Sequence, residues 1–148
     1  GLCPAIELEA AGSPVGIGVD GSASEDASNL MQEVRQALQI QRLRYGAARV
    51  SHADVLRWAT AGSARCLRRD DIGKIAVGKQ ADLAFFRLDE PRFSGAGDPI
   101  AALILCGAHR ADRVMISGEW RVLDGQIVGF ELNRLLNDHR DAARALIA

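Results

Sequence analysis

The sequence has few cysteines and no long apolar run, and both shortages exclude classes of protein. Its three cysteines, Cys3, Cys66 and Cys106, are odd in number and far apart, so they form neither a disulfide framework nor a paired metal motif. We expect them to be reduced and mostly buried. No apolar stretch approaches the roughly 20 residues that cross a bilayer, and no signal-type segment is recognisable. The sequence therefore predicts a cytoplasmic protein with no membrane partner.

An excess of positive charge is also missing. The 148 residues include 18 lysines and arginines against 19 aspartates and glutamates, for a formal net charge of −1, and the basic residues are dispersed. Proteins that bind nucleic acid need basic patches to neutralise phosphates, so we expect no nucleic-acid partner. The 48% of hydrophobic residues is enough for one ordinary globular domain.

Histidines are scarce as well. His52, His109 and His139 are far apart in the sequence, and none has the HxH or HExxH spacing that places two imidazoles on one metal ion. We therefore expect each of them to be a structural or solvated residue.

The first part of the chain alternates helical patterns with one short apolar run. A short helix is predicted over 4–11, and "VGIGV" at 15–19 is typical of a parallel strand covered on both faces. A long amphipathic helix follows and closes at Gly46, and Ser51 begins another. Strand, loop and helix in this order indicate an α/β barrel or a doubly wound sheet.

The pattern changes after Arg68. "ADLAFFRL" at 81–88 predicts a strand, and a β-hairpin follows with turns at Gly118-Glu119 and Asp124-Gly125. The tail from Glu131 returns to a helical pattern of leucines and alanines. This part of the chain is therefore predicted to be a small β module with a closing helix.

Asp20 is the candidate functional residue, because it stands at the carboxyl end of the predicted strand. Active sites of parallel α/β folds lie at these ends, and an unpaired buried carboxylate is costly. Asp20 is either a functional residue, as a metal ligand or a general base, or a cap of the following helix. The hydroxyls of Ser22 and Ser24 either contact a ligand or, like that of Ser28, belong to a capping loop.

Three stretches together resemble the C-terminal part of the amidohydrolase superfamily, in its branch of 8-oxoguanine deaminases, guanine and cytosine deaminases and chlorohydrolase-like enzymes. They are "PVGIGVDGSASEDASNLMQEVRQALQIQRLRYG", "IGKIAVGKQADLAFFRLD" and "HRADRVMISGEWRVLDGQIV". The resemblance implies an α/β fold in which 1–68 is the C-terminal end of a (β/α)8 TIM-type barrel. It makes 69–129 the C-terminal part of a small β-sandwich and 130–148 a closing helix.

The resemblance also implies a function. Members of this kind hold one divalent metal, most often zinc, and use metal-activated water to deaminate a purine or related small heterocycle, of the 8-oxoguanine, guanine or cytosine type. On that basis Asp20 would be both a catalytic residue and a metal ligand, and a full-length form would be a homo-oligomer. The histidine ligands of the family have no counterpart here, so we expect these residues to be the inactive C-terminal segment of a larger enzyme.

Two other interpretations stay open at this point. The chain could be a naturally short, non-catalytic assembly or binding domain that lacks the histidine metal ligands. Alternatively, it could be an unrelated α/β domain in which Asp20 only caps a helix.

Overall fold

The computed structural model describes residues 1–21, 24 and 27–147. It contains helices and strands in the order α1 (Ala5–Ala10), α2 (Leu30–Tyr45), α3 (His52–Arg57), a π-helical turn (Trp58–Gly62), α4 (Ser63–Cys66), β1 (Leu83–Phe85), a 3-10 turn (Pro91–Phe93), α5 (Pro99–Leu105), β2 (Arg113–Ile116), β3 (Glu119–Leu123), β4 (Gln126–Ile127) and α6 (Leu132–Ile147). None of the described helices is long and apolar enough to span a bilayer.

The predicted helices of the first part are present and end where the sequence indicates. Gly46 stops α2 with a φ of +89°, a conformation that glycine adopts without strain. Ser51 caps α3 in a capping box, in which its hydroxyl accepts the Asp54 amide and the Asp54 carboxylate accepts the Ser51 amide. Local capping chemistry thus sets these helix ends.

The core joins α2, α3 and a helix that the sequence did not predict, α5. Its buried side chains include Val34 and Leu38 of α2, Val55 of α3 and Ile104 of α5. Since α5 lies within the predicted segment 69–129, this segment packs directly on the helices that precede it. The boundaries at residues 68 and 129 stay predictions.

Leu38 provides a test of this core. It is fully buried, whereas Leu43 on the same helix is 81% exposed. Leu38→Ala is expected to lower the free energy of unfolding by about 2–5 kcal/mol, because it removes buried methyl groups and leaves a cavity. Leu43→Ala is the matched control, with an expected change within about 0.5 kcal/mol in chemical denaturation. Equal effects of the two substitutions would contradict this packing.

The β module is a four-stranded antiparallel sheet in the order β1-β2-β3-β4. Its hairpin turn lies one residue earlier than predicted, at Ser117-Gly118, because Glu119 already pairs with Ile116. The second turn, at Asp124-Gly125, is as predicted. Strand β1 covers only part of the predicted 81–88 and pairs with β2, so one of its edges has a partner in this chain.

The predicted strand at 15–19 is the main correction to the secondary structure. Residues 13–20, called the 13–20 segment below, belong to no assigned helix or strand, and within the described part of the chain no strand pairs with them. A strand is assigned through its ladder of hydrogen bonds, and the described residues contain no second parallel strand to supply one.

The prediction that the three cysteines are mostly buried is also wrong, because all three are exposed.

Candidate active site

Asp20 is the last residue of the 13–20 segment. Asp20 is exposed, and its backbone has a φ of +62°, in the left-handed region. Among residues other than glycine, aspartate and asparagine enter this region most readily. The sequence therefore places a carboxylate at a backbone conformation that few other side chains tolerate.

Helix α1 lies directly before the 13–20 segment and anchors the start of that segment. The Glu9 carboxylate accepts a hydrogen bond from Arg57 at 3.0 Å and another from the Trp58 indole at 3.3 Å. The hydrogen bond from Arg57 is the main reason that the pKa of Glu9 lies below its usual range. This partly exposed cluster ties α1 to the helix that carries Trp58.

Ser63 and two glycines hold the middle of the segment. The Ile17 amide donates to the Ser63 hydroxyl at 3.2 Å. Gly16 and Gly62 allow the two backbones to touch, since a Cβ on Gly62 would lie 2.1 Å from the Val15 carbonyl oxygen. The segment that ends in Asp20 is thus fixed by side-chain and backbone contacts with the π-helical turn.

Asn29 stands directly before α2 and makes side-chain contacts in two directions. Its side-chain oxygen Oδ1 accepts hydrogen bonds from the amides of Met31 and Gln32, which makes Asn29 the N-cap of α2. Its side-chain amide donates to the His109 carbonyl at 2.8 Å. This one side chain therefore starts α2 and joins it to the loop after α5.

Asp20 does not cap the following helix, because Asn29 occupies that position. The prediction of Ser24 or Ser28 as the cap is wrong for the same reason, and the Ser24 hydroxyl instead donates to the Gly21 carbonyl within a local turn. The predicted role of Ser22 lies outside the described residues. The reading of Asp20 as a helix cap is thereby excluded.

The histidines take no part in a metal cluster among the described residues. His52 lies 3.0 Å from the Asp98 carboxylate, which also accepts two backbone amides as the N-cap of α5. These contacts, led by the amide of Ala101, hold the pKa of Asp98 below its usual range. The ring of His109 packs on Gly107, and His139 is exposed on α6.

The described part of the chain contains no group of three or more side chains that could together hold a metal ion. Asp20 fits such an ion as one ligand, because carboxylate oxygens are ordinary zinc ligands. Further ligands would have to come from elsewhere. The geometry therefore gives one candidate ligand at the end of an anchored segment.

Comparison with known proteins identifies the class. A sequence profile of the amidohydrolase family matches residues 1–121, and the chain belongs to this family. This confirms the resemblance seen in the sequence and excludes an unrelated α/β domain.

Individual relatives are deaminases and hydrolases. The chain is 64% identical over 148 residues to 8-oxoguanine deaminase of Pseudomonas aeruginosa, covering 100% of this chain and 33% of that protein. It is 37% identical over 163 residues to isoxanthopterin deaminase of an unknown prokaryotic organism, covering 99% and 34%. The chain thus spans about a third of the length of these relatives.

Solved structures of a deaminase and of a chlorohydrolase superpose on this chain. An adenosine deaminase from Xanthomonas campestris with bound zinc superposes with a TM-score of 0.90 at 31% identity, covering 100% of this chain and 35% of that one. Atrazine chlorohydrolase TrzN from Arthrobacter aurescens TC1 complexed with zinc gives a TM-score of 0.86 at 37% identity, covering 93% and 31%.

Proposed function

We propose that these residues form the C-terminal third of a zinc-dependent amidohydrolase that deaminates a purine-type heterocycle, with 8-oxoguanine as the first substrate to test. The observation that carries this proposal is the 64% identity to an 8-oxoguanine deaminase along the whole chain. The zinc-bound neighbours in this family support the choice of metal.

The proposal assigns parts of the family fold to this chain. Residues 1–68 correspond to the last strand and helices of the (β/α)8 barrel, 69–129 to the C-terminal part of the β-sandwich and 130–148 to the closing helix. In such a barrel the catalytic residues lie at the carboxyl ends of the strands. The position of Asp20 at the end of the 13–20 segment supports this assignment.

Asp20 is proposed to act as metal ligand and as proton acceptor. Asp20, with ligands from outside these residues, would hold the zinc ion, which would lower the pKa of a bound water toward neutrality. The Asp20 carboxylate takes the proton of the attacking water and passes it to the leaving amine. A carbon–oxygen bond forms and the exocyclic carbon–nitrogen bond breaks as this proton converts the leaving amine into ammonia. The second proton of the water ends on the ring nitrogen of the oxo product.

The first experiment isolates the protein from its natural source and measures its intact mass, zinc content and ammonia release from 8-oxoguanine, guanine and cytosine. We expect a full-length polypeptide roughly three times as long as these 148 residues, about one zinc ion per chain and turnover of 8-oxoguanine. The isolated 148-residue chain should bind no zinc and release no ammonia. A mass of 148 residues with a stable, metal-free fold would instead favour the short binding or assembly domain.

The setting of the protein belongs to the same proposal. The three described cysteines are exposed and form no disulfide, which supports a reducing compartment such as the cytoplasm. The partner is a small heterocycle rather than nucleic acid or a membrane. A homo-oligomeric full-length form follows from the family resemblance, and light scattering would test it.

A further inference from the structure

The backbone of Ile17 is bound by a side chain where a barrel strand would normally meet a neighbouring strand. Its amide donates to the Ser63 hydroxyl at 3.2 Å, and its carbonyl lies 3.3 Å from the same oxygen. The N–H and the C=O of Ile17 thus point to the same side of the chain. One hydroxyl, 46 residues further along the chain, therefore meets both polar groups on this edge of Ile17.

The π-helical turn places the Ser63 hydroxyl against the 13–20 segment. Ser63 follows the turn directly, and its hydroxyl also lies 3.0 Å from the Trp58 carbonyl. Single π-helical turns inside helices occur frequently at functional sites. The local change from α to π geometry at Trp58–Gly62 thus coincides with the contact to the segment that ends in Asp20.

Glycines on both sides leave little room for adjustment. A Cβ on Gly16 would lie 3.0 Å from the Ser63 Cα atom, which is backbone and cannot rotate away. A Cβ on Gly62 would meet the Val15 carbonyl oxygen. The two backbones are therefore in direct contact, and the Ser63 hydroxyl fixes the register of one against the other.

We propose that Ser63 is a positioning residue for Asp20, and this inference rests on the proposed function. Only Gly18 and Val19 lie between Ile17 and Asp20, so a shift of the backbone at Ile17 is carried to the nearby carboxylate. Hydroxyls on helices often bond only to their own backbone. Thr60 does so, since its hydroxyl donates to the Leu56 carbonyl at 2.8 Å. Ser63 differs because it also binds a different segment.

Thr60 therefore supplies a matched control from the same turn. In the full-length polypeptide, Ser63→Ala is expected to lower kcat by about 10- to 100-fold, because misplacing a catalytic group by about 1 Å costs this much. KM should change less than twofold, and zinc affinity, measured by chelator competition, should fall several-fold. Thr60→Ala should leave all three at wild-type values.

Hydrogen exchange gives a readout that does not depend on activity. The peptide that contains the Ile17 amide should exchange faster in Ser63→Ala than in wild type or Thr60→Ala. Ser63→Thr keeps the hydroxyl and should retain at least half of the wild-type kcat, and it also serves if Ser63→Ala fails to fold.

Three results would overturn the inference. The first is wild-type kcat and zinc affinity in Ser63→Ala, and the second is unchanged exchange at Ile17. The third is a folded Ser63→Thr variant as impaired as Ser63→Ala. If the wild-type polypeptide neither binds zinc nor turns over substrate, the proposed function fails, and the inference fails with it for that separate reason.

Discussion

Asp20→Asn is expected to lower kcat of the full-length polypeptide by about 10²- to 10⁴-fold, the usual contribution of a positioned proton acceptor. Asparagine has nearly the same shape as aspartate but no basic carboxylate at neutral pH. It also tolerates the left-handed backbone at position 20, where φ is +62°. The substitution therefore removes the proposed chemistry while keeping the backbone conformation at position 20. Steady-state kinetics would measure the loss of kcat, and matched thermal unfolding would measure whether stability is kept.

Two further variants separate chemistry from folding. Asp20→Ala removes the same carboxylate but places alanine in the left-handed region, at a cost of about 1 kcal/mol. It should lose turnover as completely as Asp20→Asn and should be less stable as well. Asp141→Asn, on the exposed face of α6, should keep the wild-type kcat. A folded Asp20→Asn variant that keeps more than a tenth of the wild-type kcat would refute the proposed role.

Helix ends were predictable because their signals are local. Ser51 with Asp54, and Gly46 at the end of α2, are patterns within a few residues of the chain. The cap of α2 is Asn29, which stands directly before the first helical residue. Asparagine and serine are about equally good caps, so residue type alone does not distinguish Asn29 from Ser24 or Ser28.

Helix α5 carries a signal that the sequence analysis missed. "PIAALIL" is a short apolar run, and periodicity does not distinguish a buried strand from a buried helix at this length. Asp98 followed by Pro99, however, is a cap followed by proline at the first helical position. That pair favours a helix and would have decided the question.

The surroundings of Asp20 were predictable only in part. Its place at the end of an apolar segment follows from the sequence, but the contact between Ile17 and Ser63 joins residues 46 positions apart. No local pattern encodes such a contact. The contact between the Asn29 side chain and the His109 carbonyl likewise joins distant parts of the chain. The remaining ligands of the proposed metal are a different case, because the described residues contain no cluster of side chains that could hold a metal ion.

Gly62→Ala is the second substitution with a large expected effect, and two physical terms oppose each other there. Gly62 has helical backbone angles, φ −65° and ψ −50°, so helix propensity alone predicts a gain of about 1 kcal/mol. The new Cβ, however, would lie 2.1 Å from the Val15 carbonyl oxygen, about 1 Å closer than any tolerable contact. Neither atom belongs to a flexible side chain, so the backbone at Val15 and the backbone at Gly62 must move apart.

We expect the steric term to win. Overpacking of this kind costs about 1–3 kcal/mol. Because Val15 lies five residues before Asp20, kcat should also fall by about 100-fold. Gly97→Ala is the matched control, since a Cβ there meets no atom within 4 Å and its φ is not positive. Wild-type stability and kcat in Gly62→Ala would show that Val15 and Gly62 are not in contact in the full-length polypeptide, and the argument that this contact helps to place Asp20 would fail with it.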